Sequence, residues 1–240
     1  MQSPFRSHIL PRFPIFAGIL GLILRIWLFA SVDEKGLLPA GHFADRALFV
    51  LSAVVIVVVF LSTRTLLPRR LHRFAIRNTN VSTYIAGGLG FLLNAVFILV
   101  KSSVRLVLVA TTASLLGGII MLVIAYRFKA NKRISYLLLA VVTVVLMLDT
   151  IAQCQVWGAL PQFQEYFFPL MASVFLVLST HQRTLFSARR PNPKLLAFFS
   201  QTAVFFCIVS LNSSHWILYL GMLFWAAAQI YPCTAMKKKV

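Results

Sequence analysis

The chain has 240 residues, 60% of them apolar and only 12% charged, with a mean hydropathy of +0.86 and a formal net charge of +18. A soluble domain carries about 25% charged residues, so half that share excludes a surface built for water. The apolar residues fall in blocks of about 16–22, the length of a helix across a ~30 Å hydrocarbon core, and the ~10-residue alternating segments of a β-barrel do not occur.

In chain order, hydropathy predicts eight transmembrane helices at about 13–31, 47–67, 83–100, 106–126, 135–154, 166–180, 195–211 and 216–233. The first block follows Arg6 and Arg12 and runs into a charged loop with no A-x-A site, so it reads as a helix and not a cleaved signal. Loop 2–3 carries Arg69, Arg70, Arg73 and Arg77, with Arg64 just before it. Loop 4–5 carries Arg127, Lys129, Lys132 and Arg133. Loop 6–7 carries Arg183, Arg189, Arg190 and Lys194, and the end carries Lys237, Lys238 and Lys239.

Of the alternate segments, loops 5–6 and 7–8 carry no Lys or Arg. Loop 1–2 sets Lys35 and Arg46 against Asp33, Glu34 and Asp45, and the short turn between helices 3 and 4 is the imperfect case, with Lys101 and Arg105. The positive-inside bias therefore places both termini in the cytoplasm. All five carboxylates, Asp33, Glu34, Asp45, Asp149 and Glu165, fall in or near the opposite half. Trp27, Trp157 and Trp216 fall near the outer boundary, as interfacial aromatics do, with Trp225 deeper. The same distribution removes nucleic acid as a partner, because the basic residues lie between spans; anionic headgroups at the cytoplasmic loops are the expected contact. The short loops point to a bacterial inner membrane.

An internal repeat is visible. Gly36-Leu37-Leu38-Pro39 matches Gly158-Ala159-Leu160-Pro161, and Leu61-Ser62-Thr63 matches Leu178-Ser179-Thr180. Ala95-Val96-Phe97 matches Ala203-Val204-Phe205, and Tyr126 with Lys132 and Arg133 matches Tyr231 with Lys237 and Lys238. The order is preserved throughout, so residues 1–130 and 131–240 read as two parallel four-helix repeats of one membrane domain. Parallel repeats favour a site at their junction.

Within the predicted spans, Arg25 and Asp149 stand out. A charge in hydrocarbon costs at least ~2.5 kcal/mol, so it needs a partner or a wet cavity. Helices 1 and 5 are counterparts under the repeat, and the two residues fall at similar depth, so the expectation is that they pair. That pair reads either as the floor of an outward cavity or as a structural salt bridge.

The outer loop adds Asp33, Glu34, His42 and Asp45, where Asp45 reads foremost as a cap near the start of helix 2. A metal there would need Glu165 or His215 as a third ligand. Cys154, Cys207 and Cys233 have no metal-like spacing. The uncharged polar groups inside spans are Asn94, Thr111, Thr112, Thr143, Gln153, Gln201 and Gln229, expected to bond between helices. Gly87, Gly88 and Gly90 with Gly117 and Gly118 allow close helix approach.

No GxSxG, HExxH or Walker pattern occurs, and the sequence implies neither cofactor nor metal. Three readings follow. The first is a non-enzymatic protein that transports or binds a small solute, using Arg25, Asp149, Asp33, Glu34, His42, Asp45 and Glu165. The second is a membrane subunit or regulator acting through helix–helix contacts with another membrane protein or a second copy. The third is an enzyme acting on lipid from the outer face.

Overall fold

The computed structural model describes residues 12–31, 42–64, 81–101, 105–130, 135–157, 163–188 and 192–234. Among them the chain is helical, without strands. The helices are α1 (Phe13–Ala30), α2 (Phe43–Arg64), α3 (Val81–Lys101), α4 (Arg105–Lys129), α5 (Tyr136–Trp157), α6 (Phe163–Ser187), α7 (Pro193–Val209) and α8 (Trp216–Thr234). A short 3-10 turn, Ser210–Asn212, follows α7.

Six of these helices are long and apolar enough to cross a membrane, namely α1, α2, α3, α4, α5 and α7 extended through the 3-10 turn. Helix α8 contributes a shorter apolar stretch, Trp216–Gln229. Helix α6 has 25 residues, about 37 Å at 1.5 Å per residue, and begins and ends several residues beyond the span expected from hydropathy. The expectation stopped at residue 180 because His181, Gln182 and Arg183 follow. Gln182 and Arg183 are in fact buried in the helix, so Arg183 belongs to the bundle interior and not to a loop.

Large apolar side chains remain exposed in rows along the helices. Ile15, Ile19, Ile26 and Phe16 project from α1, Val50, Val54, Val57 and Leu61 from α2, and Leu89, Leu93 and Val96 from α3. In water so much contiguous apolar surface would drive association. Against lipid it is the expected exterior, and the polar groups turn inward. The chain is an α-helical protein built to lie in a membrane.

The helices α3, α4, α5, α6, α7 and α8 form a closed ring in which each packs on the next and α8 returns to α3. Helices α1 and α2 pack on each other and on the outside of α7. Helix α7 is consequently the most enclosed span, with residues Leu196, Ala197 and Ser200 through Ser210 all buried. Phenylalanines fill its contact with α6, where Phe175 stacks on Phe206 at 5.4 Å. These neighbours are not exchanged by a twofold between residues 1–130 and 131–240. Helix α1 packs on α7, whereas their counterparts α5 and α3 each pack on α4, which lies between them.

Two glycine contacts set how closely α3 approaches its neighbours. A Cβ on Gly221 of α8 would come within 2.6 Å of the Gly90 Cα, and one on Gly118 of α4 within 3.0 Å of the Gly88 carbonyl. Only backbones without side chains fit at these crossings. Gly87, Gly88 and Gly90 are thus buried inside the bundle, while Leu89 between them faces outward.

Candidate functional site

Arg25 and Asp149 are both buried, at 2% and 1% exposure, yet they do not pair. Arg25 donates from one guanidinium nitrogen to the Glu165 carbonyl at 2.9 Å and from the other to the Val209 carbonyl at 3.2 Å. Both acceptors are made available by backbone irregularity. Pro169 sits inside α6 and lacks the N–H that would bond the carbonyl four residues back, which is that of Glu165. Val209 ends α7, and Ser213 N–H bonds Ser210 O across the 3-10 turn instead of reaching back four residues to Val209. The negative end of the α7 dipole also favours a cation there. Phe29 and Phe168 face the guanidinium at 5.5 and 5.6 Å. Arg25 is a pin joining α1, α6 and α7, and the expected salt bridge to α5 is replaced by bonds to main chain.

Asp149 lies eight residues before Trp157, the end of α5, or about 12 Å along the axis, deeper than the shorter sequence-based span implied. Its Oδ2 accepts from Gln153 Nε2 at 2.7 Å. The Tyr219 hydroxyl of α8 stands 3.2 Å from Gln153 Oε1 and 3.1 Å from both the Pro169 carbonyl and the Ser173 hydroxyl. A hydroxyl donates one proton, so Tyr219 bonds either Gln153 or Pro169 while Ser173 donates to it. The result is a polar chain linking α5, α6 and α8 and ending on a carboxylate. Asp149 Oδ1 has no hydrogen-bond partner. The Ser114 hydroxyl of α4 lies against the same carboxyl as a further hydrogen-bonding group, without completing a well-formed bond.

A second buried polar layer lies nearer the other end of α6. The Ser179 hydroxyl meets Ser200 at 2.8 Å and Gln229 at 3.5 Å, and Thr143 meets Thr184 at 3.5 Å. Gln201 is fully buried there with neither amide atom bonded. The sequence named Thr143, Gln153, Gln201 and Gln229 without ranking them; the packing ranks Gln153 first, because it alone bonds a buried carboxylate. Sequence reasoning missed Tyr219, Ser114 and Ser173. Their signal, three polar groups on the faces later found to be buried, required knowing which faces point inward.

The remaining candidates are dispersed. His42 is half-buried against Trp27, with ring centroids 5.5 Å apart, and its Nδ1 accepts the Ala44 N–H at 3.2 Å. His42 therefore caps α2, and Asp45 is buried in the first turn, where a negative charge suits the helix dipole. Glu165 is half-buried at the start of α6 and meets Arg25 through its carbonyl, not its carboxylate. No cluster of three metal-ligating side chains occurs among the described residues. Asp33 and Glu34, like the Gly36–Pro39 and Gly158–Pro161 repeats and Lys237–Lys239, lie outside the described residues.

Fold and site together define a polytopic α-helical membrane protein with a carboxylate enclosed among its helices. No protein-family model matches the chain, and no curated protein or solved structure matches it at significance.

Proposed function

We propose that the chain crosses the inner membrane eight times with both termini in the cytoplasm, and that it binds or moves a small polar solute at the Asp149 layer. The observation that carries this is the Asp149 carboxylate, 1% exposed, with one oxygen held by Gln153 and the other unpartnered. An ionisable group inside a bilayer is costly and faces the bundle interior for a functional reason far more often than by accident. A structural pin would be expected to bond both oxygens, as Arg25 bonds through both of its terminal guanidinium nitrogens. The eight-span topology is supported by the length of α6, by the alternation of basic segments, and by the meeting of helix ends. Trp27 of α1 meets His42 edge to face at the start of α2, and Lys194 of α7 donates to the Arg64 carbonyl at the other end of α2.

The test is thiol accessibility. Ser114→Cys is made in a background lacking the native thiols (Cys154→Ser, Cys207→Ala, Cys233→Ser) and exposed in intact cells to a small membrane-impermeant methanethiosulfonate. Modification at position 114 from the outer side is the expected result. A folded protein that stays unlabelled until denatured refutes the reading. Reporter fusions after Gly158 and at the carboxyl end check the orientation, with the first active outside and the second inside.

A further inference from the structure

Three helices meet at one level around Gly117. A Cβ on that glycine would come within 2.8 Å of Val145 Cγ1 and 3.2 Å of Phe91 Cδ1. One turn further toward the same end of each helix stand Asn94, Ser114 and Asp149, exposed 0%, 0% and 1%. Residues one turn apart share a helix face, so α3, α4 and α5 present these three side chains to the same level of the bundle. Four of their polar atoms lack a well-formed hydrogen bond, Asn94 Oδ1 and Nδ2, Ser114 Oγ and Asp149 Oδ1, with Ser114 lying against the carboxyl. An isolated orphan of this kind calls for a local explanation; four in one layer, including a carboxylate oxygen, describe a donor set.

The chemistry of that set is specific. It offers three oxygens and a single negative charge, with its charged member oriented from behind by Gln153 and, through it, by Tyr219. Two buried cations lie on other helices: Arg25 is committed to the Glu165 and Val209 carbonyls, and Arg183 precedes Thr184, which meets Thr143 in the other polar layer. Oxygen donors suit hard cations. A divalent ion would leave a net positive charge in a low-dielectric interior, whereas a monovalent ion leaves none.

We infer that Asp149, Ser114 and Asn94 bind a monovalent alkali cation of the sodium class. The inference rests on the reading of this layer as a solute site and names the charge of the solute. It is tested on the intact protein in nanodiscs, by thermal unfolding at constant ionic strength with choline chloride replaced stepwise by sodium, potassium or lithium chloride. A ligand that binds only the native state raises Tm with its concentration. The expected result is a saturable rise with at least one alkali ion, abolished in Asp149→Asn and shifted at least tenfold in midpoint concentration in Ser114→Ala.

If Asp149→Asn does not fold, Ser114→Ala and Asn94→Ala decide the matter, with radioactive sodium binding as the direct readout. A folded wild type indifferent to all three ions, or an unchanged midpoint in the variants, overturns the inference. The two readings fail separately. Labelling at position 114 without a cation response removes the ion and keeps the solute site, whereas a cation response without labelling keeps the ion and removes outer access.

Discussion

The carbonyl of Glu165 is free because residue 169 is proline, and Arg25 is the group that bonds it. Removing either partner should therefore change what the other is worth. In Arg25→Gln the shorter side chain cannot span two carbonyls, so at least one buried acceptor loses its partner at about 1–3 kcal/mol. In Pro169→Ala the restored N–H can bond the Glu165 carbonyl within the helix, and the loss of the proline raises helix propensity as well. With alanine at 169 the same Arg25→Gln change should cost less, because that acceptor is already satisfied. The coupling energy from the double-mutant cycle is expected to be about 1–2 kcal/mol, and helix-propensity effects common to both backgrounds cancel from it. Equilibrium unfolding in mixed micelles, titrated with SDS, supplies the four free energies. Additivity to within about 0.5 kcal/mol would refute the claim that Arg25 answers a proline-freed carbonyl.

Other consequences are more direct. Gly221→Val adds bulk where a Cβ already falls 2.6 Å from the Gly90 Cα, so α3 and α8 must separate, and SDS titration should show a loss of about 1–3 kcal/mol or more. Tyr219→Phe removes the hydroxyl between Ser173, Pro169 and Gln153, and the same titration should register about 0.6–1.7 kcal/mol, the range for hydrogen bonds in membrane bundles. Val57→Lys places a charge on an exposed face of α2, and a lipid-facing position should lower insertion by about 2.5–3.5 kcal/mol in a translocon assay. Unimpaired insertion of that variant would mean that the face meets water or protein.

Helix α6 runs past the span that hydropathy predicts for a physical reason. Hydropathy treats His181, Gln182 and Arg183 as an exit from the membrane, since it assumes that a polar group faces solvent. Gln182 and Arg183 are instead shielded within the bundle, a possibility visible only once α6 is seen between α5 and α7. The same limitation governed Arg25 and Asp149. Each stands out in the sequence, because a charge in an apolar block is conspicuous in a linear string, and each is buried in the bundle. Their pairing was inferred from matched depth, and depth says nothing about the direction a side chain takes around its helix.

Composition and periodicity alone determined that this chain is a helical membrane protein, because burying 60% apolar residues with 12% charge leaves no alternative in water. They also located the apolar blocks that become helices, though the ends of α2 and α6 fall several residues from where hydropathy placed them. Tertiary structure decided which polar groups meet. The ring of α3 to α8 turns Asn94, Ser114 and Asp149 toward one level and gives Arg25 to main-chain carbonyls. Hydrogen bonds depend on ångström distances and on the rotation of each helix about its axis, and those are set by how glycines and phenylalanines let neighbouring helices pack.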